Sequence, residues 1–153
     1  MSSAAQVPLL DVDIRLGTFV HAEPDRIWEV LTTSEGVNQW FTTGAEWTHE
    51  PGTPMHWRWV DWGPYDISTA SAGEIIEVDP PRRFVFSWGT GPGELRSTVT
   101  VTLEPDAGGT KVELTDAGYP DTPEGRHALM DCACGWGEAL TLAKFYVEHG
   151  LTY

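Results

Sequence analysis

Asp116 is the charged residue whose position most invites chemistry. Apolar Val112 and Leu114 alternate with Lys111 and Glu113, and the same period of two brings Asp116 onto the face of Val112 and Leu114. An inward, unpaired carboxylate is raised in pKa by desolvation, which suits an acid/base or a hydrogen-bond anchor for a ligand hydroxyl. The alternative, favoured by the nearby Gly118, is that the strand has ended and Asp116 makes a turn. Cys132 and Cys134 read as small buried hydrophobes, since no basic residue is placed to lower a thiol pKa. Two apart on a helix, they project to opposite sides and form no disulfide. His21, His49, His56, His127 and His149 stand singly, without ligand spacing, so neither a metal nor a cofactor is expected. The run Gly89-Thr90-Gly91-Pro92-Gly93 lacks the helix and Lys of a phosphate cradle, and there is no Gly-x-Ser-x-Gly elbow.

A second set of residues is suited to binding. Met55, Trp57 and Trp59 share one strand parity, Phe84, Phe86 and Trp88 share another, and Trp136 with Leu140 lies on a helix expected to cross both strands. Together with Cys132 and Asp116 they make a candidate ligand-binding set. An aromatic cavity with few polar groups suits a flat apolar ligand, bound by stacking and by area burial at about 25 cal/mol per Å². The alternative for each residue is plain core filling. Trp28 and Trp40, in short helices, read as structural, whereas Trp62 and Tyr65 sit in a loop that can serve as a lid.

The elements that must position these groups follow from periodicity. The chain has 153 residues, 41% of them hydrophobic, which suits one domain at 9–153 behind a loose tail at 1–8. Residues 14–20 alternate as a strand, Pro24 opens a helix through about Thr32, and Ser34 can cap a second short helix ending near Trp40-Phe41. Strands then follow near 55–60, 70–78, 84–88, 99–103 and 112–114, with a turn at Gly89–Gly93 and a hairpin at Asp106–Gly109. Asp121 or Thr122 can cap a final helix, with Glu124 placed for a capping box. Leu129, Ala133, Trp136, Leu140, Ala143 and Val147 recur at helical spacing until Gly150. Gly135 and Gly137 interrupt that helix at a cost of about 1 kcal/mol each relative to Ala, which suggests close approach by a strand or space left for a ligand.

The order strand, two short helices, about six more antiparallel strands and a long last helix is that of the helix-grip fold. The stretch Glu23-Pro24-Asp25-Arg26-Ile27-Trp28-Glu29-Val30-Leu31-Thr32, closed by Trp40-Phe41, resembles the opening signature of the family related to the C-terminal domain of the heat-shock-protein-90 ATPase activator, within the START-like SRPBCC superfamily. The segments Gly73–Trp88 and Gly108–Thr115, and Gly135-Trp136 with Leu140, are similar to its later signatures. The resemblance implies an α+β fold in which a curved antiparallel sheet of about seven strands wraps around the last helix. It also implies a cavity between sheet and helix that in the superfamily holds lipids, plant hormones, polyketides or other aromatic natural products. This chain departs from the family pattern at Asp116 and Cys132, where the family often carries His.

Nine Lys and Arg against 23 Asp and Glu give a net charge of -14, which repels phosphate backbones and anionic headgroups, so neither nucleic acid nor membrane is expected as a partner. No segment is apolar enough to span a bilayer and no basic leader precedes an apolar run, so a reduced, cytoplasmic protein is expected. The expected function is binding of a small hydrophobic, aromatic or polyketide-like molecule. Two alternatives stand beside it: a metal-free cyclase- or hydrolase-type enzyme with Asp116 as acid/base, and a module that binds a chaperone. A homodimer is also open.

Overall fold

The computed structural model describes residues 7–89 and 95–153. The turn expected at Gly89–Gly93 lies, from Thr90 on, outside those residues, as does the tail expected at 1–8 up to residue 6. Strand β1 (Ile14–Val20) leads into helices α1 (Pro24–Thr32) and α2 (Ser34–Val37). Five strands follow, β2 (Pro54–Trp62), β3 (Ile67–Asp79), β4 (Arg83–Gly89), β5 (Arg96–Asp106) and β6 (Gly109–Ala117), and the chain closes on helix α3 (Pro123–His149). The strands form one curved antiparallel sheet in the order β1-β6-β5-β4-β3-β2, with α3 over its concave face, which is the helix-grip architecture. At 1.5 Å per residue, the 27 residues of α3 run about 40 Å, enough to cross the sheet.

The sheet has six strands, not about seven. The segment after α2, where a further strand would run, makes only one isolated bridge, Glu46 with His56. The cause is Asn38. Its Oδ1 accepts from Ala45 N at 2.8 Å and from Thr42 Oγ1 at 2.6 Å, and its Nδ2 donates to Ala45 O at 3.0 Å. A side chain thereby supplies the partners a neighbouring strand would have given. The bracketed segment then lies along the outer edge of β2. Thr43 N and Gly44 N donate to Arg58 O, Glu46 and His56 exchange both backbone bonds, and Val60 N donates to Thr43 Oγ1 at 2.9 Å.

Two of the eight Trp residues finish α1. A helix leaves its last carbonyls without partners, and here Trp40 Nε1 donates to Val30 O at 3.0 Å while Trp47 Nε1 donates to Thr32 O at 2.8 Å. Each indole buries its ring and still satisfies its N–H. The cap of α2 is Thr33, which accepts from Gly36 N at 2.8 Å, rather than Ser34, whose hydroxyl donates to Trp47 O. Thr33 holds the extended backbone a cap requires, one residue ahead of the helix. For α3 the cap is Thr122, accepting from Gly125 N at 2.9 Å. That places Gly125, not Glu124, at the position a capping box uses, and Glu124 is only an acidic residue of the first turn.

The far end of α3 is tied to β1 by Glu148. Its Oε2 accepts from His21 N at 2.9 Å and from Lys144 Nζ at 3.0 Å, and lies 3.1 Å from His21 Nδ1, while Lys144 also donates to the carbonyl of Phe19. The backbone N–H of His21, with Lys144 and the His21 ring behind it, lowers the Glu148 pKa to about 2. A carboxylate depressed in the fold stabilises it above its unfolded value of 4.5, and that contribution is lost as pH falls toward about 2. Denaturant midpoints taken from pH 6 down to 2 are therefore expected to fall more steeply for the parent than for Glu148→Gln. Parallel curves would show that this clamp adds nothing.

Candidate ligand-binding cavity

A cavity of about 440 Å³ opens between the β2–β3 hairpin, the end of β4 and the middle of α3. Strand alternation aims its wall. Trp59 faces inward on β2 opposite Thr69, Ser71 stands opposite Trp57, and Trp88 closes the rung on β4 opposite Ser97. Past Trp59 the register shifts at a bulge, where Asp61 takes the left-handed region, and the turn that follows uses that region at Gly63 and Asp66. The bulge turns Trp62 toward the cavity, where it meets the ring of Phe41 edge-on at 5.7 Å. Trp62 is thus the last residue of β2 rather than part of a free loop, and Tyr65, 85% exposed, lies outside the wall.

The helix supplies the opposite side. Ala128, Cys132, Trp136, Ala139 and Leu142 face the cavity with Gly135 among them. A Cβ built on Gly135 meets nothing within 4 Å. No strand approaches it, so of the two reasons for a mid-helix glycine this position keeps the second, open space. The indole of Trp136 packs against Trp88 with ring centroids 4.9 Å apart, and Trp57 meets Trp88 edge-on at 5.1 Å behind the wall. At the mouth, Tyr153 crosses from helix to hairpin. Its ring lies 4.9 Å from that of Trp62, and its hydroxyl donates to Glu138.

Four members of the expected binding set, Trp59, Trp88, Cys132 and Trp136, line this cavity. Met55, Trp57, Phe84, Phe86 and Leu140 do not, and are buried in the core. Parity assigned them to the correct face, but the cavity occupies only the hairpin end of the strands. Further along, α1 and the segment after α2 fill the same face, with Trp28 and His49 against Phe84 and Trp47 against Trp57 at 4.7 Å. The residues missed from sequence include Phe41, Thr69, Ser71 and Gly135's neighbours Asp131, Glu138 and Leu142. Counting the antiparallel register back from the turn at 63–66 pairs Trp62 with Ile67 and would put Ala70 and Ala72 beside Trp59 and Trp57; the bulge between Trp59 and Trp62 brings Thr69 and Ser71 there instead, and the sequence carries no signal for it.

Asp116 lies one side chain away from the cavity wall. The strand does not end before it, for β6 runs to Ala117 and Asp116 pairs with Val99 and Ile14 on its two sides. The residue is fully buried. Its Oδ2 accepts from Tyr119 Oη at 2.6 Å and from Trp136 Nε1 at 3.0 Å. Burial raises the Asp116 pKa above the usual carboxylate value, and the hydrogen bonds from Tyr119 and Trp136 oppose that rise. Tyr119 is raised as well, by burial first and then by the acceptor beside it. Burial raises the Cys132 thiol, and the Asp116 charge adds to the rise, whereas Cys134, expected to be a buried hydrophobe, is exposed. Asp116, Tyr119 and Trp136 thus form one buried polar cluster. A raised thiol is a poor nucleophile. What the cluster does in the geometry observed is fix the ring of Trp136, one wall of the cavity.

Among the described residues no group of three His, Cys, Asp or Glu could hold a metal ion, and no helix is long and apolar enough to cross a membrane.

The sequence model of the family described as Activator of Hsp90 ATPase homolog 1-like protein matches residues 21–148. No curated protein matches the chain. Solved structures similar to it include the Aha1 dimer from Colwellia psychrerythraea, 20% identical, with a TM-score of 0.71 over 91% of this chain and 98% of that one. CalU16 from Micromonospora echinospora is 22% identical, with a TM-score of 0.72 over 92% of this chain and 76% of that one. DynU16, a protein in the dynemicin biosynthetic locus, is 23% identical, with a TM-score of 0.76 over 92% of this chain and 49% of that one. At these identities the likeness is one of fold.

Proposed function

The chain belongs to the Activator of Hsp90 ATPase homolog 1-like family, and from that premise we propose that it binds a small hydrophobic, aromatic or polyketide-like molecule between the sheet and α3. The observation that carries this reading is the cavity of about 440 Å³, walled by Phe41, Trp59, Trp62, Trp88 and Trp136 and left open at Gly135. Its size falls in the range of small-molecule sites, and indole faces give stacking area to flat ligands. The likeness to DynU16, from a natural-product locus, supports the same ligand class. The likeness to the Colwellia dimer supports a homodimer, and two free thiols, Cys132 and Cys134, fit a reducing, cytoplasmic setting. The cyclase- or hydrolase-type reading relied on Asp116 as acid/base, and Asp116 does not line the cavity. No observation favours that reading or the chaperone-binding one over ligand binding.

Native mass spectrometry of freshly purified protein is expected to show a retained small-molecule mass, or the protein is expected to bind the neutral fluorophore N-phenyl-1-naphthylamine with one-to-one stoichiometry. No retained mass, together with no fluorophore binding, would remove the proposal.

A further inference from the structure

The charge around the cavity narrows the ligand class, on the premise that the cavity is a ligand site. Among the described residues that line it, the ionisable groups are Asp131, Glu138, His127 and Cys132, and none is Lys or Arg. Residues 1–6 and 90–94 contain no Lys or Arg either. Asp131 and Glu138 are seven residues apart on α3, so they stand on one face about two turns apart, with Gly135 between them. Gly135 is the position at which a Cβ would meet nothing. A gap in the helix surface, bracketed by two carboxylates and facing indole rings, has the composition of a cation site, because aromatic faces and carboxylates both attract positive charge. Neither carboxylate is neutralised by a lysine or arginine. Asp131 lies 3.1 Å from the ring of His127, and Glu138 accepts from the neutral hydroxyl of Tyr153. An anionic ligand such as a fatty acid would meet carboxylates at the mouth and no lysine or arginine within.

We infer that the cavity takes a flat apolar molecule carrying a cationic nitrogen, an amine or quaternary ammonium, with its ring system against Trp59, Trp88 and Trp136 and its charge between Asp131 and Glu138. The full chain is titrated by calorimetry with three matched probes: (2-naphthylmethyl)trimethylammonium, its uncharged carbon isostere 2-neopentylnaphthalene, and 2-naphthylacetate. The cation is expected to bind about tenfold more tightly than the isostere at low salt, and 2-naphthylacetate more weakly than either. In Asp131→Asn/Glu138→Gln the ratio of cation to isostere affinity is expected to fall to near one. Equal binding of cation and isostere in the parent, or a preference that survives the double substitution, overturns the inference while leaving the cavity a binding site for neutral ligands. Binding of none of the three overturns the inference and the proposed function together. Should the double variant fail to fold, the salt dependence in the parent decides the matter, since a cation preference that does not weaken between 20 mM and 500 mM salt is not electrostatic.

Discussion

Replacing Gly135 by Leu is expected to lower the affinity for N-phenyl-1-naphthylamine by roughly a hundredfold without loss of thermal stability. The substitution adds four carbons where a Cβ meets only open space. Displacing that much ligand surface, at about 0.8 kcal/mol per methylene, costs about 3 kcal/mol of binding free energy. The helix itself benefits, since a mid-helix glycine is about 1 kcal/mol less favourable than Ala and Leu is close to Ala. Gly135→Ala is the companion measurement. It is expected to raise stability by about 1 kcal/mol and to cost little binding, because one methyl group fills a small part of about 440 Å³. Thermal melts and a fluorescence titration of the three proteins suffice. Parent-like affinity in the Leu variant would show that the probe sits elsewhere, and a lowered melting point would show that Gly135 serves packing after all.

Asp116→Ala is expected to destabilise the protein by about 2–4 kcal/mol at neutral pH. It would leave two buried donors, Tyr119 Oη and Trp136 Nε1, without an acceptor, and each such orphan costs about 1–3 kcal/mol. Asp116→Asn keeps an acceptor for both donors and removes the buried charge, so it separates the hydrogen bonds from the ionisation. The folded pKa of Asp116 is raised above its unfolded value of 3.8. For a carboxyl shifted upward, the favourable contribution is complete below the unfolded value and is lost as pH rises through the folded one. The parent is therefore expected to lose stability as pH rises from about 3.8 through that range. Asp116→Asn should lack this slope, and its direction is opposite to the one Glu148 imposes further into acid. An Asn variant with the parent's pH profile would assign the ionisation to another group. Near-ultraviolet circular dichroism gives an independent reading, because the ring of Trp136 is held by Asp116 on one side and packs on Trp88 on the other.

What the sequence disclosed and what it withheld divide along physical lines. Period-two alternation reports which face a side chain occupies, so Trp57 and Trp59 were both aimed inward, and both are buried. It says nothing of depth along the strand, and depth is what makes Trp59 a cavity wall and Trp57 core. Asp116 shows a different limit. Its face was readable, yet a carboxylate near Gly118 argued for a turn. The strand continues because Ile14 and Val99 pair with Asp116 on its two sides, and Trp136, twenty residues on, brings an N–H to its buried carboxylate. A partner that only the closed fold supplies cannot be weighed from local pattern. The seventh strand rests on the resemblance alone, since period-two alternation marks six strands and the sheet has six. Gly135 ran the other way: its helical cost was visible in the chain, and the two explanations for it differed only in what stood opposite.

The bracket at Asn38 also bears on association. An edge strand with unpaired N–H and C=O groups is a template onto which another chain can add, and proteins that leave one bare are prone to fibril growth. On β2 the outward backbone groups of His56, the carbonyl of Arg58 and the N–H of Val60 are already engaged by residues 43–46. A second copy has no free ladder to extend there. If the chain pairs with itself, that pairing cannot be sheet continuation through β2. Freeing the segment by changing Asn38 would uncover an apolar strand carrying Met55, Trp57 and Trp59, and with it a route to aggregation.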